Sequence, residues 1–83
     1  MTKYYIESFK RSGSPKFVIR QREGKLIERY DFMKQKWVED DYMLKIYTGG
    51  IEVDPCTEAD ALAEIKAAEE ELGTRKKGKE YGG

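Results

Sequence analysis

The chain has no histidine, a single cysteine and only two prolines in its 83 residues. Without an imidazole, the Ser–His and Cys–His arrangements that activate a nucleophile cannot form. The lone Cys56 excludes an intramolecular disulfide and a cysteine-based structural zinc site. We therefore predict that the chain is not an enzyme, and that it has no catalytic residue, no cofactor and no metal.

Long apolar runs are also missing from the sequence. No stretch reaches the roughly 20 apolar residues of a membrane-spanning helix, or the shorter apolar core of a secretory signal. The expectation is a soluble, cytoplasmic protein without a membrane partner.

Aromatic residues, in contrast, make up 12% of the chain. Their large apolar surfaces allow a short chain to build a core, and 83 residues are enough for one domain. We predict a single α+β domain over residues 1–73. Residues 74–83 are basic and glycine-rich without apolar periodicity, which predicts a flexible tail.

The charges balance over the whole chain but are separated along it. Residues 1–36 contain ten Lys and Arg against four Asp and Glu, whereas residues 37–73 contain two against eleven. The last ten residues are basic again, with four against one. Such asymmetry suggests interaction surfaces, although the segments can also neutralise each other within the fold.

The first half of the chain has the composition of β-strands. Residues 3–10, 16–22 and 25–32 are predicted as three strands, the last two joined at Glu23-Gly24. A two-residue turn there would place Ile19 opposite Glu28. Alternation then gives one apolar face, and the opposite face is basic. The apolar face contains Phe17, Ile19, Gln21, Leu26, Tyr30 and Phe32, and the basic face contains Val18, Arg20, Arg22, Lys25, Ile27 and Arg29.

Two helices are predicted in the second half. Asp40 or Asp41 can cap a short helix over residues 42–47 that closes at Gly49-Gly50, and a strand over the same residues stays open. Thr57 and Asp60 form a capping-box pattern for a longer helix that ends at Gly73. Its predicted inner face comprises Ala61, Leu62, Ile65, Ala67, Ala68 and Leu72.

These elements predict an α+β fold with a three-stranded antiparallel sheet, a β-meander. A short helix and a longer C-terminal amphipathic helix follow and pack on one sheet face.

Two charged surfaces are the candidate binding sites. The basic hairpin face could bind a partner through Arg20, Arg22, Lys25 and Arg29. The acidic helix face could do so through Glu64, Glu69, Glu70 and Glu71. A small protein-binding module is the leading interpretation. The alternatives are nucleic-acid binding through the hairpin face and a nucleic-acid-mimicking inhibitor that uses the acidic helix. A homodimer is also open.

Residues 17–72 show a hairpin, Trp-Val-Glu-Asp, a short helix closed by Gly-Gly and a Thr-capped, Glu-rich helix. In this order of elements the chain resembles small uncharacterised proteins of Gram-positive bacteria and their phages or mobile elements. The resemblance brings no catalytic motif. It implies an accessory protein, including an inhibitor that acts on a host protein.

Overall fold

The computed structural model describes residues 1–82, with side chains described through Gly73. In chain order the elements are β1 Lys3–Glu7, β2 Val18–Gln21, β3 Glu28–Asp31, β4 Lys36–Glu39, a 3₁₀ helix Asp41–Ile46, β5 Val53–Cys56 and α1 Glu58–Gly82. The strands form one antiparallel sheet in the order β4-β3-β2-β1-β5. The α+β class, the antiparallel sheet and the C-terminal helix are confirmed. The predicted number of strands is wrong, because residues 1–82 form five instead of three.

The two strands that were not predicted lie at the two edges of the sheet. β4 follows a four-residue turn in which the Asp31 carboxylate accepts the backbone N–H groups of Met33 and Lys34 at 2.9 and 3.0 Å. Gln35 completes this turn with a φ of 56°. β5 contains Pro55, a residue that argues against a strand but is tolerated at an edge where no partner needs its missing N–H.

The hairpin of β2 and β3 is shifted by one residue from the predicted register. Ile19 lies opposite Arg29, and Arg20 lies opposite Glu28. The turn itself closes between Arg22 and Lys25, whose N–H donates to the Arg22 carbonyl at 3.0 Å, with Gly24 at a φ of 74°. The β3 side of the hairpin then has one residue more than the β2 side. A shift of one residue exchanges the faces, so both predicted faces are wrong.

The observed register gives the sheet two covered sides. On the side named here the helix side, α1 packs on β1 and β2, and Val18, Ala61 and Ile65 form the buried cluster. On the opposite side, the 3₁₀ side, Ile19, Ile27, Met43 and Ile51 form a second cluster. The prediction that both helices cover one face is therefore wrong. Val18 and Ile19 are successive residues of β2, so their side chains point to opposite sides of the sheet. Both are fully buried, which requires that both sides of the sheet be covered.

The short helix is confirmed as a 3₁₀ helix capped by Asp40, whose carboxylate accepts the Tyr42 N–H at 3.0 Å. In a 3₁₀ helix, residues three apart lie above one another. Met43 and Ile46 form the row that faces the sheet, and Met43 is fully buried. The chain then turns through Gly49, which has a φ of 85°.

The predicted capping box of α1 is confirmed. The Asp60 N–H donates to Thr57 Oγ1 at 3.1 Å, and the Thr57 N–H donates to Asp60 Oδ2 at 3.4 Å. The buried stripe consists of Ala61, Ile65 and Ala68. It is narrower than predicted, since Ala67 is exposed and Leu62 is 51% exposed.

The helix does not end at Gly73 as predicted. A C-terminal glycine ends a helix by adopting positive φ, and Gly73 does not adopt it. The helical backbone continues to Gly82. The side chains of residues 74–82 and the whole of Gly83 lie outside the described residues. The flexible tail predicted over residues 74–83 stays a prediction.

Candidate functional site

The outer face of the 3₁₀ helix presents large apolar side chains to solvent. Once Met43 and Ile46 point to the sheet, the other rows of the helix must point away from it. Tyr42, Leu44 and Tyr47 are 54%, 49% and 57% exposed. Lys45 lies beside Tyr42, with Nζ 5.2 Å from the ring centroid, and covers part of that ring.

Phe9 extends this exposed region beyond the helix. It follows β1, is 70% exposed, and lines with Tyr42 a surface cavity of about 370 Å³. Phe17 and Ile51 form further apolar parts of the cavity wall. We call Phe9, Tyr42, Leu44 and Tyr47 the apolar surface.

The cavity wall is held by a small polar network. Glu7 Oε1 accepts the Phe17 N–H at 3.1 Å and the Arg11 Nε–H at 3.3 Å. The Arg11 guanidinium also lies 4.0 Å from the centroid of the Phe17 ring. These contacts fix Phe17 and pair the charge of Arg11 with that of Glu7. The cavity wall therefore combines aromatic side chains with charged ones, among them Glu52.

The other end of the apolar surface is anchored to β1 through Tyr47. Burial raises the pKa of the Tyr47 hydroxyl, and the neighbouring Tyr5 raises it further. Tyr47 also borders a second cavity of about 330 Å³, together with Lys3 and Gln21. The hydroxyl therefore stays neutral at physiological pH, and its hydrogen bond with Tyr5 ties this end of the apolar surface to β1.

The four basic residues predicted to share one hairpin face are not together. Arg20 and Arg22 lie on the helix side, and both pair with the buried Glu28 at 2.9 and 3.0 Å. Arg29 lies on the opposite side and pairs with Asp40 at 2.7 Å. Lys25 is exposed in the turn. The predicted basic face is thus divided between two sides, and its arginines are already paired.

Glu28 is the centre of the largest of these ion-pair groups. Burial raises the pKa of its carboxyl group, but the hydrogen bonds and charges of Arg20 and Arg22 outweigh that effect and lower it. Glu28 also lies opposite Glu39 of β4, where two like charges would repel. The two arginines stabilise a carboxylate that the strand pairing alone would destabilise.

The predicted acidic residues of α1 are distributed around the helix. Successive residues of a helix are rotated by about 100°, which puts Glu64 and Glu71 beside one edge of the buried stripe and Glu69 beside the other. Glu69 accepts the Tyr30 hydroxyl at 3.3 Å, and Glu71 pairs with Lys10 at 2.9 Å. Glu70 faces away from the sheet. These carboxylates do not form one array.

Cys56, the single cysteine, lies at the end of β5 on the helix side of the sheet. Burial and the charge of Asp60 raise the pKa of the Cys56 thiol, and Cys56 packs against the cluster of Val18, Ala61 and Ile65. Among the described residues, no group of three or more His, Cys, Asp or Glu side chains is arranged to hold a metal ion.

No helix in the described chain combines the length and apolar character needed to cross a membrane.

Comparisons with known proteins do not assign the fold or the site. No family model, no curated protein and no solved structure matches the chain.

The sequence prediction missed the apolar surface. The available signal was the segment from Tyr42 to Tyr47, in which five of six residues are apolar or aromatic. A 3₁₀ helix can turn only one row of three inward, so part of this segment had to remain exposed.

Proposed function

We propose that this chain is a small, non-enzymatic protein-binding domain that contacts its partner through the apolar surface. The observation that supports it is the grouping of Phe9 and Tyr42, two aromatic side chains more than half exposed, around one cavity. Aromatic residues are enriched at the centres of protein interfaces, where they fill pockets at low conformational cost.

The order beneath this surface adds support. The inward-facing Met43 of the 3₁₀ helix is buried against Ile51 and the sheet, and Asp40 caps the helix. A surface supported in this way loses less conformational entropy when it binds than a mobile loop would lose. Leu44 and Tyr47 extend the contact area along the same helix.

The two alternative functions have less support. Arg20, Arg22 and Arg29 already pair with carboxylates within the fold, which leaves little free positive charge for a phosphate backbone. An acidic mimic needs a continuous array of carboxylates, whereas those of α1 lie on different sides of the helix. One form of the proposed function is an inhibitor that a phage or mobile element encodes and that acts on a host protein. This form rests on the resemblance alone.

The test is affinity capture from nuclease-treated lysate of the source organism, read by mass spectrometry. We compare the wild type with Tyr42→Ser and Phe9→Ser, and use Leu62→Ser as the matched control. Leu62 is equally apolar and 51% exposed, but it lies on α1. A protein that is retained by the wild type and by Leu62→Ser, and lost with Tyr42→Ser and Phe9→Ser, supports the proposal. Retention that does not depend on Tyr42 and Phe9 contradicts it.

A further inference from the structure

The surface cavity beside the 3₁₀ helix has three aromatic side chains in its wall. Phe9, Phe17 and Tyr42 line it, and Phe9 and Tyr42 are 70% and 54% exposed. The cavity volume of about 370 Å³ lies near the lower end of the range of about 300–1,000 Å³ that is usual for ligand cavities. A cavity of this size is suited to one long side chain of a partner.

The chain places its own cations on two of these rings. The Arg11 guanidinium lies 4.0 Å from the centroid of the Phe17 ring, and Lys45 Nζ lies 5.2 Å from that of Tyr42. The face of an aromatic ring attracts a cation because its π electrons make it partly negative. Within the described residues, no cation lies over the ring of Phe9. Phe9 is therefore the ring of this cavity that is open to a cation from outside.

The charges of the residues that line the cavity do not cancel. Arg11 pairs with Glu7 at 3.3 Å, and Glu7 also accepts the Phe17 N–H. Glu52 lines the same cavity and is exposed, and no ion pair among the described residues includes it. The cavity thus combines an open aromatic ring with a carboxylate that has no counter-ion in the described part of the chain.

An arginine side chain matches both features. Its guanidinium is planar, so it stacks on an aromatic ring, and it donates two parallel hydrogen bonds to a carboxylate. The ammonium of lysine is more strongly hydrated and has no flat face to stack. Arg11 shows the arrangement within the chain, because it lies over Phe17 and donates to Glu7 at the same time. A second guanidinium over Phe9, paired with Glu52, would repeat it.

Other side chains of a partner match the cavity less well. A carboxylate would meet the like charge of Glu52, while the charge of Arg11 is already paired with Glu7. An apolar side chain would cover Glu52 without giving it a partner, and a charged group that loses water without compensation costs free energy. The charge of the cavity therefore selects a cation.

We propose that this cavity binds an arginine side chain of the protein partner, which stacks on Phe9 and pairs with Glu52. The proposal rests on the proposed function, because it names the chemistry that the partner presents to the apolar surface. Arginine is also among the residues that contribute most to binding at the centres of protein interfaces.

The test uses a peptide probe and does not require the partner. The peptide Gly-Gly-Arg-Gly-Gly, blocked at both ends, is titrated into the isotopically labelled full chain at low salt, and the amide chemical shifts are followed by NMR. Its matched control contains citrulline, which has nearly the shape of arginine but no charge. We expect the amides of Phe9 and Glu52 to shift. The arginine peptide should bind roughly three- to thirtyfold more tightly than the citrulline peptide.

Four variants connect this affinity to the cavity. Glu52→Gln should weaken binding of the arginine peptide about two- to fivefold. Phe9→Leu, which keeps an apolar side chain but removes the ring, should weaken it by a similar factor. Lys45→Gln should strengthen it by up to about twofold, because a like charge beside the cavity is removed. Glu39→Gln makes the same charge change as Glu52→Gln on β4, the edge strand at the other end of the sheet, and should have no effect.

Three outcomes overturn the proposal: equal binding of the arginine and citrulline peptides by the wild type, an affinity that Glu52→Gln leaves unchanged, and shifts confined to α1. The first needs no variant, and the amide spectrum of each variant shows whether it is folded. A failure of the proposed function is seen elsewhere, as capture from lysate that does not depend on Tyr42 and Phe9. Capture that depends on both, with a peptide that does not bind, removes the arginine proposal alone.

Discussion

The two sides of the sheet are covered by very different amounts of helix. On the helix side, α1 presents a stripe of small and medium residues, Ala61, Ile65 and Ala68, to the sheet. Its polar flanks reach back to the sheet, where Glu58 and Glu69 accept the hydroxyls of Tyr4 and Tyr30. On the 3₁₀ side, a helix of six residues covers the cluster around Met43.

This difference decides which side remains apolar at the surface. A long α-helix can turn one stripe inward and keep polar residues outside, as α1 does. The segment around the 3₁₀ helix has more large apolar residues than its single inward row can bury, so Tyr42, Leu44 and Tyr47 stay exposed. The apolar surface that we propose as a binding site lies on the side with less cover.

The largest expected change in the free energy of unfolding tests whether the 3₁₀ helix is packed on the sheet through Met43. Met43→Ala should lower the free energy of unfolding by about 2–5 kcal/mol, because it empties a site that is 1% exposed. Leu44→Ala, at the next position and 49% exposed, should change it by less than about 0.5 kcal/mol. Urea denaturation followed by circular dichroism measures both. Equal effects of the two substitutions would mean that this side of the sheet is bare.

The next effect concerns the helix side and its dependence on pH. Glu28→Gln should lower the free energy of unfolding at neutral pH by about 1–3 kcal/mol, because it weakens the ion pairs with Arg20 and Arg22. The pKa of Glu28 is lowered in the folded state, so its contribution is present above about pH 5 and is lost as the pH falls through the folded-state pKa. The difference between wild type and variant should therefore shrink on acidification.

Glu39→Gln is the matched control for this experiment. It removes the exposed carboxylate opposite Glu28 and with it a like-charge contact, so stability should not fall. Urea midpoints between neutral pH and about pH 3 give the comparison. If Glu28→Gln lowered the free energy of unfolding by the same amount at every pH, the stabilising role of the charged carboxylate would be contradicted.

Much of the fold was accessible from local patterns. The capping box of Thr57 and Asp60, the cap at Asp40 and the antiparallel class depend on residues close in sequence. The edge strands were not accessible in this way. β4 and β5 are only four residues long. Pro55 by itself argues against a strand, and β5 can contain it only because β5 lies at the edge of the sheet.

The predicted basic face depended on how the two strands of the β2–β3 hairpin are aligned, and a shift of one residue changes it. The turn at Glu23-Gly24 was recognised, but local propensity did not reveal the extra residue on the β3 side. In the observed alignment Arg20 and Arg29 lie on opposite sides of the sheet, so they do not form one basic face. The apolar surface was missed because exposure depends on how many rows of the short helix the sheet can cover, which is a tertiary property.

The smallest expected effect tests whether α1 continues beyond Gly73. Gly73→Ala should raise the free energy of unfolding by about 0.4–1 kcal/mol, since Gly73 lies within the helix and, in the described part of the chain, no atom outside the nearby helix backbone lies within 4 Å of the added methyl group. Gly24→Ala should have the opposite sign and cost about 1–2 kcal/mol, because Gly24 has a φ of 74°. Urea denaturation resolves both signs. A loss of stability in Gly73→Ala would place the end of the helix at Gly73, and α1 would then have 16 residues, Glu58 to Gly73, instead of 25.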